Sequence, residues 1–191
     1  MLTERDPLPA PPRRVIVAGT SGSGKSTLAQ RIARRAGLRY AEIDGLFHGP
    51  GWTPRPEFDD EVAALAASER WATEWQYASA RPVLAARADL VVWLDLPRRV
   101  VMRRVVRRTL RRRIRREELW NGNREPALRT VLTDPDHIVR WAWRTHAKHA
   151  ERIAALAADR PELPIVRLRS AGAVERWLRG PFADAVDPER E

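Results

Sequence analysis

The stretch "VIVAGTSGSGKSTLAQRIARRAG", residues 15–37, constrains the fold more than any other part of the chain. A short β-branched run ends in glycine, as a buried parallel strand does. After it comes the pattern G-x-x-x-x-G-K-S, and then apolar residues at helical spacing, Leu28, Ile32 and Ala36. Strand, loop and helix in this order build an anion cradle. Gly19, Gly22 and Gly24 let the backbone turn tightly enough for successive N–H groups to face a phosphate, and the helix adds the positive end of its dipole. Lys25 is one of two lysines in a chain with 35 Lys and Arg residues. An ammonium is a compact point charge that reaches β- and γ-phosphate oxygens together, whereas a planar guanidinium is too wide. Ser26 is expected to place its hydroxyl on Mg²⁺, with Thr27 on the α-phosphate side and Ser23 within the ATP-binding loop.

The rest of the chain repeats the alternation of strand and helix, which implies a parallel sheet. "LRYAEID" reads as a second strand that carries Asp44 to its C-terminal end, where ligands of open α/β sheets collect. Residues 57–70 read as a helix, "WATEWQYA" as a poor strand and "ADLVVWLDLP" as a strong one. A helix is expected over about 98–110, an irregular insertion after it, and a helix from residue 134. "PIVRL" and "AGAVERWL" supply the last strand and helix. Residues 1–12, rich in proline, are expected to be a flexible tail outside the fold. The domain then spans 13–180 with a lid-like insertion at about 111–126, and 181–191 form a C-terminal tail.

Composition limits the function classes. A net charge of +10 requires an anionic ligand or partner, and nucleotide phosphates and nucleic acid both qualify. Without cysteine there is no disulfide or thiolate metal site, and four histidines suggest no metal cluster. No run is long and apolar enough for a membrane helix, and no export signal is evident, so a cytoplasmic location and no membrane partner are expected.

With the phosphate loop, "EID", "ADLVVWLDLPRR", "RRTL" and "ELWNGNRE", the chain resembles the adenylate-kinase-like P-loop kinases, and most closely their FlaR-like branch, often labelled DNA topology modulation proteins. The resemblance covers residues 13 to about 180. It implies a three-layer α/β/α P-loop NTPase fold with a parallel five-stranded sheet, a substrate-binding segment after the second strand and a helical lid over ATP. It also implies that Arg104 and Arg108 face the nucleotide and the transferring phosphate; four residues apart, they share a helix face. Arg113, Arg116 and Arg124 are further lid candidates, and Arg169 and Ser170 match the loop bordering the adenine. Where the branch commonly has Asp-Gly-Asn-Tyr, this chain has Glu74, Trp75, Gln76 and Tyr77, so Glu74 becomes the carboxylate that would bind Mg²⁺ through water. The arginine of nucleoside monophosphate kinases is missing from "EWQYAS".

Asp44 is a candidate to orient an acceptor hydroxyl or a magnesium-bound water, against the alternative of a helix cap or turn carboxylate. Asp95 reads as structural. Eleven arginines fall between residues 98 and 116, more than a triphosphate can use; the rest suit solvent, salt bridges or a nucleic-acid backbone. Trp52 is either a stacking residue for an acceptor or a loop anchor, and at least one of Trp141 and Trp143 is expected in the core. His137, His146 and His149 are placed on one helix. The sequence thus supports a magnesium-dependent kinase that moves the γ-phosphoryl of ATP to a small acceptor such as a nucleoside or nucleotide. The alternative is an ATP-dependent nucleic-acid-binding or regulatory protein with little kinase activity.

Overall fold

Strand β1, Arg14–Ala18, is buried along Val15 to Ala18 and sits at the centre of the sheet, so its side chains have no polar face to show. The computed structural model describes residues 1–115, 117–123 and 137–187. After β1 come α1 (Lys25–Ala36), β2 (Arg39–Tyr40), α2 (Ile43–Phe47), α3 (Phe58–Ala67), β3 (Trp71–Glu74), α4 (Ala80–Arg87) and β4 (Leu90–Leu94). Then follow α5 (Arg98–Arg115), α6 (Ile138–Thr145), α7 (Lys148–Asp159), β5 (Ile165–Leu168), α8 (Ala171–Arg179) and α9 (Pro181–Val186). The five strands are parallel in the order β2-β3-β1-β4-β5, and Ile16 stands opposite Thr73 on one side and Val91 on the other.

Alternation along β1 divides the core in two. Val15 and Val17 face a layer of α1, α8 and α9, where Leu28, Ile32, Trp177 and Phe182 are buried. Ile16 and Ala18 face α3, α4 and α7 through Val62, Leu65, Leu84, Ile153 and Leu156. The outcome is the three-layer α/β/α arrangement with a five-stranded parallel sheet. A smaller cluster, Leu96, Val101, Val105 and Ala142, joins α5 to α6 beside the phosphate loop.

Several expectations are corrected. The second strand is only two residues long, because the Ile43 N–H bonds to the Glu74 carboxylate (3.1 Å) and the chain turns into α2; Asp44 lies in the first turn of that helix. "WATE" is a fully buried strand beside β1, since its polar residues are satisfied: the Thr73 hydroxyl donates to the Ala41 carbonyl (2.7 Å), and Glu74 accepts from Tyr40 (2.7 Å). Residues 111–115 continue α5 and are not an irregular insertion. Arg116, Arg124 and the expected helix start at Asp134 lie outside the described residues. The C-terminal helix breaks after Thr145, so His137 caps α6, His146 sits between helices and His149 is on α7.

The terminal segments are not outside the fold. Leu2 bridges β5, donating to the Ile165 carbonyl (2.7 Å) and accepting from the Arg167 N–H (2.8 Å), while Leu2 and Leu8 pack on the α1 side of the core. Residues 181–186 form α9, whose Phe182 is fully buried against Trp177. Trp141 and Trp143 are both exposed, at 47% and 55%, and guanidinium groups of Arg144 and Arg98 lie over their rings. No described helix is long and apolar enough to cross a membrane.

Candidate active site

The loop between β1 and α1 is shaped by glycine where no side chain fits. Gly24 precedes α1 at φ 101° and offers no side chain to cap the helix, so the first N–H groups of α1 remain available to an anion. Gly22, at φ 81°, lies under α5: a Cβ there would stand 2.2 Å from Val105 Cγ2. Gly22→Ala is therefore expected to cost about 1–3 kcal/mol in backbone strain and roughly 1–3 kcal/mol in overpacking. Urea denaturation checks this; an unchanged midpoint contradicts the contact.

Lys25 is only 7% exposed. Burial drives its pKa down to about 8, against the opposing pull of Asp44 and Glu74, with Arg108 adding a small push downward. Helix α5 brings arginines over the loop. Arg104 donates to the Ser23 carbonyl (2.9 Å) and Arg108 to the Ser21 hydroxyl (3.2 Å). Ser23 is buried with its hydroxyl unpartnered. These residues fit a magnesium–triphosphate: an uncapped helix start, a space that any Cβ would fill, a buried ammonium and an orphaned hydroxyl.

Two cavities meet here. The first, about 720 Å³, is lined by Gly22, Gly24, Lys25, Ser26, Thr27 and Glu42, and by Arg104, Arg107 and Arg111. The second, about 780 Å³, is walled by His48, Trp52, Trp75 and Tyr77 on one side and by residues of α6 and α7 on the other. Ser21, Asp44, Gln76, Arg108, Arg112 and Trp120 line both, so they form the boundary.

Asp44 stands on that boundary. Its Oδ1 accepts from Gln76 Nε2 (2.9 Å) and from the Tyr77 hydroxyl (2.6 Å), and that hydroxyl also lies 3.1 Å from His48 Nε2. Burial and then the Asp44 charge raise the Tyr77 pKa, which keeps the phenol protonated as a donor. Burial lowers the His48 pKa, with Asp44 opposing. Glu74 is buried one step behind, holding Tyr40 and the Ile43 N–H; Ser26 is a hydrogen-bonding neighbour of the same Tyr40 hydroxyl. Burial, and then the Glu74 charge, raise the Tyr40 pKa. Glu42 shares the cavity edge, and burial raises its carboxyl above the usual range.

Two non-glycine residues of the second cavity, Trp52 and Tyr77, have positive φ, at 62° and 57°. Such conformations persist where surrounding contacts overdetermine them. For Trp52 the contact is Asn123, a buried amide that accepts from the Trp52 N–H (3.0 Å) and donates to the Gly49 carbonyl (2.8 Å). Trp52 and Trp120 also meet edge to face. The "WNGN" segment thus pins the loop after α2.

Arg169 is not brought to either cavity: its side chain is 74% exposed, with Nε 3.8 Å from Asp95. Asp95 pairs with Arg167 at 2.5 Å. Glu42, Trp120, Arg107, Arg111 and Arg112 are not singled out by the sequence, and Gln76 enters it only as a departure from the Asp-Gly-Asn-Tyr pattern. Glu42 had a signal in its position two residues before Asp44; the others come from segments that only folding brings together.

No protein-family model matches the chain, and no curated protein matches it. Solved structures do. A shikimate kinase from Acinetobacter baumannii, in complex with shikimate, aligns at 14% identity over 93% of this chain and 94% of its own, with TM-score 0.54. A gluconokinase from Sinorhizobium meliloti aligns at 21% identity over 95% of this chain and 99% of its own, with TM-score 0.52. A sugar kinase from Janibacter aligns at 25% identity over 91% and 98%, with TM-score 0.46. The first two establish that the fold is shared with P-loop kinases.

Proposed function

We propose that the chain is a magnesium-dependent kinase that transfers the γ-phosphoryl of ATP to a hydroxyl of a small acceptor. The observation that carries this is the shared wall: one cavity built for phosphates opens onto an aromatic-walled cavity, with a carboxylate, Asp44, between them. The fold shared with a shikimate kinase and a gluconokinase supports the same reading. The FlaR-like resemblance, a nucleoside or nucleotide as acceptor, and a cytoplasmic location belong to this proposal.

Asp44 takes the proton of the acceptor hydroxyl as the acceptor oxygen bonds to the γ-phosphorus, and the bond from that phosphorus to the β–γ bridging oxygen breaks, leaving ADP. Gln76 and Tyr77 hold the carboxylate in place. Lys25, Arg104 and Arg108 meet the charge on the phosphate oxygens, and the α1 N–H groups hold the rest. Ser26 would hold Mg²⁺; Glu74, expected from the sequence to reach the ion through water, lines neither cavity and acts instead by holding Tyr40, the neighbour of Ser26. Bound there, the ion supplies charge neutralisation on the phosphates. The aromatic wall keeps water from competing for the phosphoryl group.

The test is incubation with γ-labelled ATP, Mg²⁺ and a panel of polyols, hydroxy acids, nucleosides and nucleotides. Label appearing on one acceptor in a Lys25-dependent manner is the expected result. ATP bound without any transfer overturns it. Nucleic-acid binding that weakens with salt and responds to ATP then supports the regulatory reading, for which the exposed Arg99, Arg103 and Arg113 of α5 are the basis.

A pH dependence follows from Lys25. Free, it titrates near 8; bound phosphates restore its proton. Below pH 8 it is already charged, so affinity for ATP is flat. Above pH 8 binding takes up a proton, and affinity falls by up to about tenfold per pH unit until the ordinary value near 10.5. Titration calorimetry from pH 7 to 10 in buffers of different ionisation enthalpy reads this uptake.

A further inference from the structure

Resting on the kinase reading, we infer that the acceptor carries an anionic group, a carboxylate or a phosphate, gripped by Arg81 and Arg152 at the part of the second cavity away from the phosphate loop. Both arginines line only that cavity, whereas Asp44 lies on its boundary with the phosphate cavity. Helices α4 and α7 pack on one core through Leu84, Ile153 and Leu156, which sets Arg81, one residue into α4, and Arg152 into a single wall. The Arg81 carbonyl accepts from Trp75 Nε1 (3.0 Å), so an aromatic ring of the cavity fixes its backbone.

Both guanidinium groups are half-buried, and no described carboxylate lies within salt-bridge distance of either. Charges of one sign brought together and partly desolvated repel each other unless an anion joins them. Burial, and then Arg152, already lower the Arg81 pKa, a sign of that repulsion. Two histidines of the same cavity add unpartnered nitrogens. His149, three residues before Arg152 and on the same face of α7, has a buried Nδ1 with no partner. His137 is 2% exposed; its Nδ1 accepts from the Val139 N–H, and its Nε2 is buried without a partner among the described residues. Burial, and then the charges of Lys25, Arg152 and Arg81, push His149 down to about 3, so it is neutral and adds no charge of its own. Two cations and two buried imidazole nitrogens, with no carboxylate of the described residues paired to either guanidinium, make a receptor for an anion.

The experiment follows tryptophan fluorescence, since Trp52, Trp75 and Trp120 line the cavity. The probes are gluconate, sorbitol 6-phosphate and sorbitol, of one carbon length and differing in the terminal group. One or both anions should quench saturably, roughly tenfold or more tighter than sorbitol. Which anion binds tighter separates a carboxylate from a phosphate ester. Arg81→Gln with Arg152→Gln should remove that preference, and Arg152→Lys, which keeps the charge, should retain part of it. The preference should survive Lys25→Ala, which excludes binding in the phosphate loop. Equal binding of all three probes, no saturable quenching by either anion, or a preference unchanged by the double variant each overturns the inference. Anion binding that survives while no phosphoryl transfer occurs would instead overturn the kinase reading and leave this site standing.

Discussion

Lys25→Met is expected to abolish phosphoryl transfer, by about 10³-fold or more, and at the same time to raise the melting temperature. The first effect follows from removing the point charge at the centre of the phosphate cradle, where one preorganised group is worth roughly 10²- to 10³-fold, and the other lysine, Lys148, lines neither cavity. The second follows from burial. A lysine whose pKa drops from 10.5 to about 8 binds its proton less readily folded than unfolded, so stability is lost as pH falls from 10.5 to 8. At neutral pH that loss is complete, about 3 kcal/mol. An isosteric apolar side chain removes it. Coupled transfer assays and thermal melts at pH 7 check both halves; activity near wild type would refute the cradle, and a clearly lower melting temperature would refute the strain on Lys25.

Asp44→Asn carries the second large effect. Asn keeps the size of Asp44 but not its ability to take a proton, and its amide nitrogen cannot accept from Tyr77 or Gln76. A fall in kcat of about 10²- to 10⁴-fold is expected, with KM for ATP little changed because the phosphate contacts lie on α1 and α5. Steady-state kinetics with the acceptor found by labelling decides it. If kcat hardly moves while stability drops, Asp44 is a loop anchor for Tyr77 and not the base.

Much of this site was legible before folding, and the reasons are local. G-x-x-x-x-G-K-S states its own geometry, because only glycine tolerates φ near 80° to 150° at residues 19, 22 and 24. Asp44 stands out as the carboxylate at the end of "LRYAEID", where ligands of open α/β sheets collect, although the strand there stops at Tyr40 and a long-range bond from Ile43 to Glu74 turns the chain into α2. "WATE" was undervalued for a related reason, since local propensity cannot see that Thr73 and Glu74 find partners across the sheet. Residues 1–12 looked dispensable because proline breaks periodicity, yet one leucine with two backbone bonds suffices to attach them. Arg81 and Arg152 carry no signal in the sequence, and His149 stands out there only as one of three histidines on an expected helix. Their meaning comes from the lack of a paired carboxylate among the described residues, and that is visible only in three dimensions.

The backbone bonds of Leu2 also bear on how the edges of the sheet are covered. An open parallel sheet has two rims whose unpaired amides invite another chain to add on. Here one rim, β2, is two residues long, and the other, β5, is paired at Ile165 and Arg167 by the chain's own N-terminal segment. Neither rim offers a long template for sheet growth. Protection of this kind rests on strand length and backbone pairing, and it holds whatever charge the rim strands carry.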